Sequence, residues 1–237
     1  MRLRGDLDVA ALQGALGDLM ARHESLRTVY PERAGVPRQH VLAQAVPSFD
    51  LVELDAGSLA GALSAAAGRG FELASEPPLR AHLFALGGGE HVLLLLLHHI
   101  AGDGWSLSPL WRDVARFYAA RRAGVGCDAA PLAVQYADYT LWQRAVLGEE
   151  SDPDSALSRQ LSYWTQRLAG LPEQIELASD RARPAVASHR GGAVAVALPA
   201  ALHGRLVTLA RECQASVFMV LQAALASLLS RLARQMN

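Results

Sequence analysis

The feature that most restricts this chain is an apolar run, residues 92–97, that stops abruptly at His98-His99-Ile100-Ala101-Gly102-Asp103-Gly104-Trp105-Ser106. Six consecutive apolar residues without a helical period suit a strand covered on both faces better than a surface helix. Glycines on either side of Asp103 mark a tight turn, and a helical pattern begins near Ser106 or Ser108. An ionisable pair therefore sits where a buried strand becomes a turn. Successive side chains of a strand point to opposite faces, so only one imidazole can face a given cavity and the interior must hold the other. A neutral imidazole can accept a proton at one nitrogen while a hydrogen bond at the second orients the ring. One histidine is accordingly read as the working base, and Asp103 as a structural anion in need of a cationic partner.

The surrounding pattern supports that placement. Residues 79–86 alternate as a strand, Gly87-Gly88-Gly89 supplies a hairpin turn, and residues 90–97 return antiparallel into the histidines. Residues 1–6 read as the end of a strand. Asp8 is an N-cap, followed by Val9, Leu12, Leu16, Leu19 and Met20 at helical spacing, with the helix ending near Glu24. The β-branched close of residues 22–30 predicts that this helix passes directly into a strand. Short strands are expected at 39–45 and 49–54, split by Pro47, with an alanine-rich helix at 58–68. Ser108-Pro109 reads as N-cap and first residue of a helix whose apolar face carries Leu110, Val114, Phe117 and Tyr118. Residues 157–168 form a helix ended by Gly170 and Pro172. Residues 180–188 read as an extended linker, 193–198 as a strand, and 201–211 and 216–234 as helices.

Composition narrows the function classes. A chain of 237 residues, 51% of them hydrophobic, can bury a substantial core. A formal charge of −1 leaves no nucleic-acid footprint. Cys127 and Cys213 form neither a disulfide framework nor a zinc pattern, which fits a reducing cytosol, and no signal-peptide pattern opens the sequence. The longest apolar helix candidate, 217–229, contains Gln222 and Ser227 and falls short of the ~20 residues of a membrane span. A metal site is disfavoured, because zinc takes three or four convergent ligands and neighbouring strand histidines diverge.

Three motifs carry a family resemblance. The spacing H-H-x-x-x-D-G with Trp105-Ser106 behind it closely resembles the active-site motif of condensation domains from nonribosomal peptide synthetases. Arg22-His23-Glu24-Ser25-Leu26-Arg27-Thr28-Val29-Tyr30 matches a second motif of that family, R-H-E-x-L-R-T-x-F, with Tyr30 in place of phenylalanine. Tyr136-Ala137-Asp138-Tyr139-Thr140-Leu141-Trp142 resembles a third, Y-x-D-F/Y-A-x-W, with Thr140 in place of alanine.

The resemblance implies an α/β fold of the α+β two-layer sandwich kind. Its unit is a chloramphenicol acetyltransferase-like lobe, a mixed sheet packed by helices, here with a truncated second lobe. Residues 1–175 are expected to form the N-terminal lobe without its first strand and first motif, 176–190 a linker, and 191–237 the start of the C-terminal lobe. The implied reaction is peptide-bond formation between a carrier-bound thioester donor and an aminoacyl acceptor. Both substrates arrive on phosphopantetheine arms of carrier proteins, with an adenylation domain in the same assembly line and no cofactor bound directly. Of the motif residues, His99 is implied as base or amine-positioning group, His98 as structural, and the Gly104 N–H as an oxyanion donor. Asp103 is implied to brace the turn against Arg27, or else Arg22. Trp105, Ser106, Tyr136, Asp138 and Trp142 are candidates for contact with substrate or carrier, against the alternative that the aromatics of the third motif are core. The resemblance places the catalytic turn in a tunnel between two lobes; with half of that tunnel missing, the chain is expected to be inactive alone and to self-associate through apolar surface. The competing readings are a free-standing coenzyme A- or carrier-dependent acyltransferase and a non-catalytic carrier-docking module.

Overall fold

The structure, a computed structural model, describes residues 1–126, 129–173, 175, 177, 181–182, 184–188 and 191–233. The chain divides into two compact units, Met1–Arg159 and Gln160–Asn237.

The first unit is built on a four-stranded mixed sheet. Strand β1 (Arg2–Arg4) leads to helix α1 (Val9–Arg22), one 3-10 turn (Glu24–Arg27) and the short strands β2 (Thr28–Val29), β3 (Glu32–Arg33), β4 (Val36–Pro37) and β5 (His40–Val41). Then come β6 (Ser48–Glu53), α2 (Leu59–Gly68), β7 (Leu79–Gly87), β8 (Glu90–Leu97), α3 (Leu107–Arg122) and α4 (Tyr136–Leu147); α5 (Ala156–Arg167) contains the division between the units. The main sheet runs β1-β8-β7-β6. Strands β6 and β7 are parallel and need a crossover, which α2 supplies. Strands β7 and β8 are antiparallel and pair from Leu79↔Leu97 to Gly87↔Glu90. Their turn demands glycine, because Gly87, Gly88 and Gly89 all take positive φ, at 83°, 58° and 75°. The hairpin is the one the sequence predicts, and the mixed sheet is the one the resemblance implies.

The strand alternation divides two cores. Leu79, Ala81, Leu83 and Leu93 face α1 and α3, where Leu16, Leu19, Met20 and Phe117 are fully buried. Phe84 and Val92 face the other way and pack with Leu59 of α2. Asp8 caps α1 as expected, its Oδ1 accepting the Ala11 N–H at 2.8 Å.

Four expectations are corrected. Strand β8 is covered on both faces only near its start: Val92 and Leu93 are buried, whereas residues 94–97 are half-buried. Helix α1 does not run directly into β2, because the 3-10 turn intervenes and Thr28 Oγ1 bonds back to the Glu24 carbonyl at 2.7 Å. Of residues 39–45 only His40–Val41 is strand, paired with β2. Helix α3 begins at Leu107 with Ser106 at its cap, the earlier of the two expected starts and not Ser108-Pro109, so Pro109 falls third in the first turn. That position is tolerated because first-turn N–H groups lack intrahelical acceptors.

In the second unit, α6 (Ala200–Glu212) and α7 (Val217–Leu232) match the expected helices, and Ser216 Oγ caps α7 by accepting the Met219 N–H at 3.2 Å. Residues 193–198 form no strand, contrary to their alternation. Nothing pairs with them among the described residues, and Val194 and Val196 stand 89% and 83% exposed. Seven of the fifteen residues of the linker expected at 176–190 lie outside the described residues. No single helix among the described residues is long and apolar enough to cross a membrane.

Candidate active site

The two histidines after β8 stand in different surroundings: His98 extends the ladder by one residue, and His99 already lies in the turn that follows. The ladder continues one residue beyond the strand, since the His98 N–H donates to the Pro78 carbonyl at 2.9 Å. His98 therefore shares the sheet face opposite to Leu97. There its ring meets Phe71 edge to face, with centroids 5.8 Å apart and planes at 81°. Its Nδ1 accepts the Ile100 N–H at 3.1 Å. That bond occupies the Nδ1 lone pair, so a neutral His98 carries its proton on Nε2. The His98 carbonyl closes the turn by accepting the Ala101 N–H at 3.0 Å. His99, by contrast, is exposed. One imidazole is held and the other is presented.

Asp103 does not meet an arginine. Its Oδ1 accepts from the Ser106 hydroxyl at 2.9 Å and the Ser106 N–H at 3.1 Å, while its own N–H donates to Ser106 Oγ at 3.0 Å. These bonds, led by the Ser106 hydroxyl, hold the carboxyl below the usual aspartate value, with a smaller contribution from the nearby His99. The expected pair with Arg27 or Arg22 is thus corrected. An aspartate three residues before a serine closes the turn locally, and both arginines are engaged elsewhere. Arg22 Nε donates to Asp113 Oδ2 on α3 at 3.1 Å, and His23 Nε2 lies 2.7 Å from the same oxygen. Arg27 pairs with Glu24 at 3.2 Å and donates to the Leu42 carbonyl.

Sequence reasoning missed Asp113, although the signal was present. It lies on the apolar face of α3 between Leu110 and Phe117, is only 6% exposed, and so requires a cation. It missed Gln135 as well, whose Nε2 donates to the Arg22 carbonyl at 3.0 Å and whose Oε1 accepts the Glu24 N–H at 3.2 Å. Together these bonds tie the end of α1 to α3 and to the start of α4.

The two turn glycines have unequal demands. A methyl group on Gly102 would stand 2.9 Å from Leu97 Cδ2 and 3.2 Å from Ser106 Cβ. One on Gly104 would meet nothing within 4 Å, and Gly104 does not take the left-handed conformation. Trp105 is 90% exposed. Beneath the turn, Leu19, Leu26, Leu97, Ala101 and Leu110 line a cavity of about 240 Å³ that Ser106 and His23 also border.

The third motif is not core. Tyr136, Tyr139 and Trp142 form an exposed ladder along α4, with successive centroids 5.8 and 5.7 Å apart. Asp138 is committed to the helix start, its Oδ2 accepting the Gln135 N–H at 2.9 Å in a capping box. Burial, with Tyr136 alongside, pushes the Tyr30 phenol above its ordinary value. No cluster of three or more histidine, cysteine or acidic side chains that could hold a metal occurs among the described residues.

Comparison with known proteins adds three findings. The family model named Condensation domain matches residues 1–237. The chain is 56% identical over 232 residues to a protein of Salinispora arenicola (strain CNS-205) named as a probable non-canonical nonribosomal peptide synthetase, CymA. That match covers 98% of this chain and 3% of the relative. It is 50% identical to the dimodular nonribosomal peptide synthase of Bacillus subtilis (strain 168), covering 98% of this chain and 10% of that protein. Among solved structures it is similar to the complex of the X-domain and OxyB from teicoplanin biosynthesis. There the TM-score is 0.90 at 43% identity, over 98% of this chain and 50% of that one. The chain thus spans a small part of these curated relatives and half of that solved chain.

Proposed function

The chain belongs to the condensation-domain family, and from that premise we propose that its His98-His99 turn serves amide-bond formation between two carrier-bound substrates. The observation that carries the reading is the division of labour at the end of β8: His98 is held by Phe71 and the Ile100 N–H, and His99 is left exposed beside the ionised Asp103. In the reaction, the α-amine of the acceptor attacks the carbonyl carbon of the donor thioester. A C–N bond forms, the C–S bond breaks, the amine proton passes to His99, and the departing sulfur of the phosphopantetheine arm receives a proton. A positioned base contributes ~10²–10⁴-fold to such a step. Holding two tethered reactants together contributes through effective molarity. The Gly104 N–H, free of a side chain and open to its surroundings, is assigned to the oxyanion. Trp105, Tyr136 and Trp142, all exposed, are assigned to contact with substrate or carrier.

The partners under this reading are aminoacyl or peptidyl carrier proteins and, in the same cytosolic assembly line, an adenylation domain. Residues 1–175 would supply one lobe and 191–237 the beginning of the other. A two-lobed domain containing this chain, offered the same acyl group on a carrier protein and on coenzyme A, tests the substrate class. Amide product with the carrier-borne donor alone is expected. Equal rates from coenzyme A would make it a free-standing acyltransferase instead.

A second reading, a docking module without chemistry, is favoured by the likeness to the teicoplanin X-domain, which was solved in complex with the protein OxyB. Against it stand the paired histidines and the Asp103–Ser106 brace. Carrier binding without any amide product would favour the docking module.

A further inference from the structure

The buried cation of this unit lies on the same sheet face as His98. Arg80 of β7 pairs across the ladder with Leu96, two residues before His98, and is 2% exposed. Burying a guanidinium is costly unless its donors are met. Here they are met. Nε donates to Glu76 Oε1 at 2.8 Å, one terminal nitrogen donates to the Arg69 carbonyl at 2.9 Å, and the other donates to the Gly70 carbonyl at 2.6 Å and again to Glu76. Two of those acceptors immediately precede Phe71, so the guanidinium holds the backbone that carries this ring. It also stands over the ring itself, with Cζ 4.0 Å from the centroid. Phe71 is therefore held by a cation and in turn meets His98 edge to face.

A methionine or leucine at Arg80 would fill the space. What only the guanidinium supplies is a fixed fork that sets residues 69–71 and the plane of Phe71 together. We propose that Arg80 and Phe71 are positioning residues of the catalytic turn. Arg80 fixes Phe71, Phe71 fixes the His98 ring with its Nδ1 toward the Ile100 N–H, and the backbone direction of His99 follows. The catalytic meaning of this clamp rests on the proposed function; the clamp itself does not.

The test uses the 237-residue chain labelled with ¹⁵N-histidine, observed by NMR above the imidazole titration range. The expected wild-type result is a single Nε2–H tautomer for His98 and a protected Ile100 amide. Phe71→Leu should give mixed tautomers and an Ile100 amide exchanging roughly tenfold faster, with the α1–α3 core resonances unmoved. Phe71→Tyr should restore both signals. Arg80→Lys, which keeps the charge but loses the fork, should act in the same direction as Phe71→Leu. A folded Phe71→Leu chain with wild-type tautomer and exchange would overturn the clamp. So would mixed tautomers in the wild type, whatever the variants do. Neither readout depends on turnover. A chain that shows the clamp signals but forms no amide in its two-lobed domain would sink the proposed function alone.

Discussion

Asp113→Asn asks which carboxylate holds the end of α1. The carboxylate of Asp113 accepts Arg22 Nε at 3.1 Å and lies 2.7 Å from His23 Nε2, and its side chain is 9% exposed. Asparagine keeps the shape and one acceptor oxygen but removes the charge. Breaking a buried ion pair outright costs ~3–5 kcal/mol. Arg22 and His23 retain 19% and 22% side-chain exposure, so water offsets part of their loss. Weakening two charge-assisted bonds in that setting should cost about 2–3 kcal/mol. In a chain of this size that lowers the melting temperature by roughly 4–12 °C. The assay is thermal melting, with amide exchange of α1 and α3 to confirm that the loss arises where those helices meet. Asp103→Asn is the control. Asp103 is exposed and bonds only within its own turn, so Asp103→Asn should lower the melting temperature by much less than Asp113→Asn does. An Asp103→Asn chain that melted below Asp113→Asn would refute the reasoning, because an arginine would then be serving the catalytic turn.

Three further outcomes follow from the same geometry. Gly102→Ala should destabilise the chain by ~1 kcal/mol, since Leu97 must give way to the new methyl; Gly104→Ala should melt like the wild type, and urea titration of the pair would show a reversed order if the turn were misread. The Asp103 carboxyl, followed by ¹³C NMR, should titrate below the ordinary aspartate value, and Ser106→Ala should bring it back up. Because the folded value is depressed, the stabilisation of the turn is complete above the ordinary value and fades as pH falls through the folded one. Phe218, Leu221, Leu225, Leu228 and Leu232 of α7 are exposed, so the isolated chain should self-associate; light scattering that gave a monomer mass across a wide concentration range would contradict this.

The legible parts of the fold were those written in local chemistry. Asp8 at the head of α1 and three consecutive glycines between two alternating strands left few alternatives. That one histidine is held and the other exposed was legible too, but the cause is the turn: His98 ends the ladder, and His99 already lies beyond it. Where the reading failed, a competing side chain had taken the partner. Ser106 takes Asp103 in place of any arginine, and of the two serines that could open α3 it is Ser106 that stands at its cap. Arg22 went to Asp113, a residue visible as a charge on an apolar stripe but not weighed as one. Residues 193–198 alternate like a strand, yet alternation does not supply an edge to pair with. The aromatics of α4 have the spacing of a core face, and spacing alone cannot say whether anything covers it. The Arg80–Phe71–His98 contact spans residues distant in sequence, and nothing local announces it.

The central claim is that His99 is the imidazole reaching the reacting groups. Its most direct test is the single-turnover rate of amide formation by a two-lobed domain containing this chain, with both carriers loaded and saturating, before and after His99→Ala. A loss of ~10²–10⁴-fold with unchanged carrier affinity is the predicted result. A rate within about twofold of the wild type would contradict it.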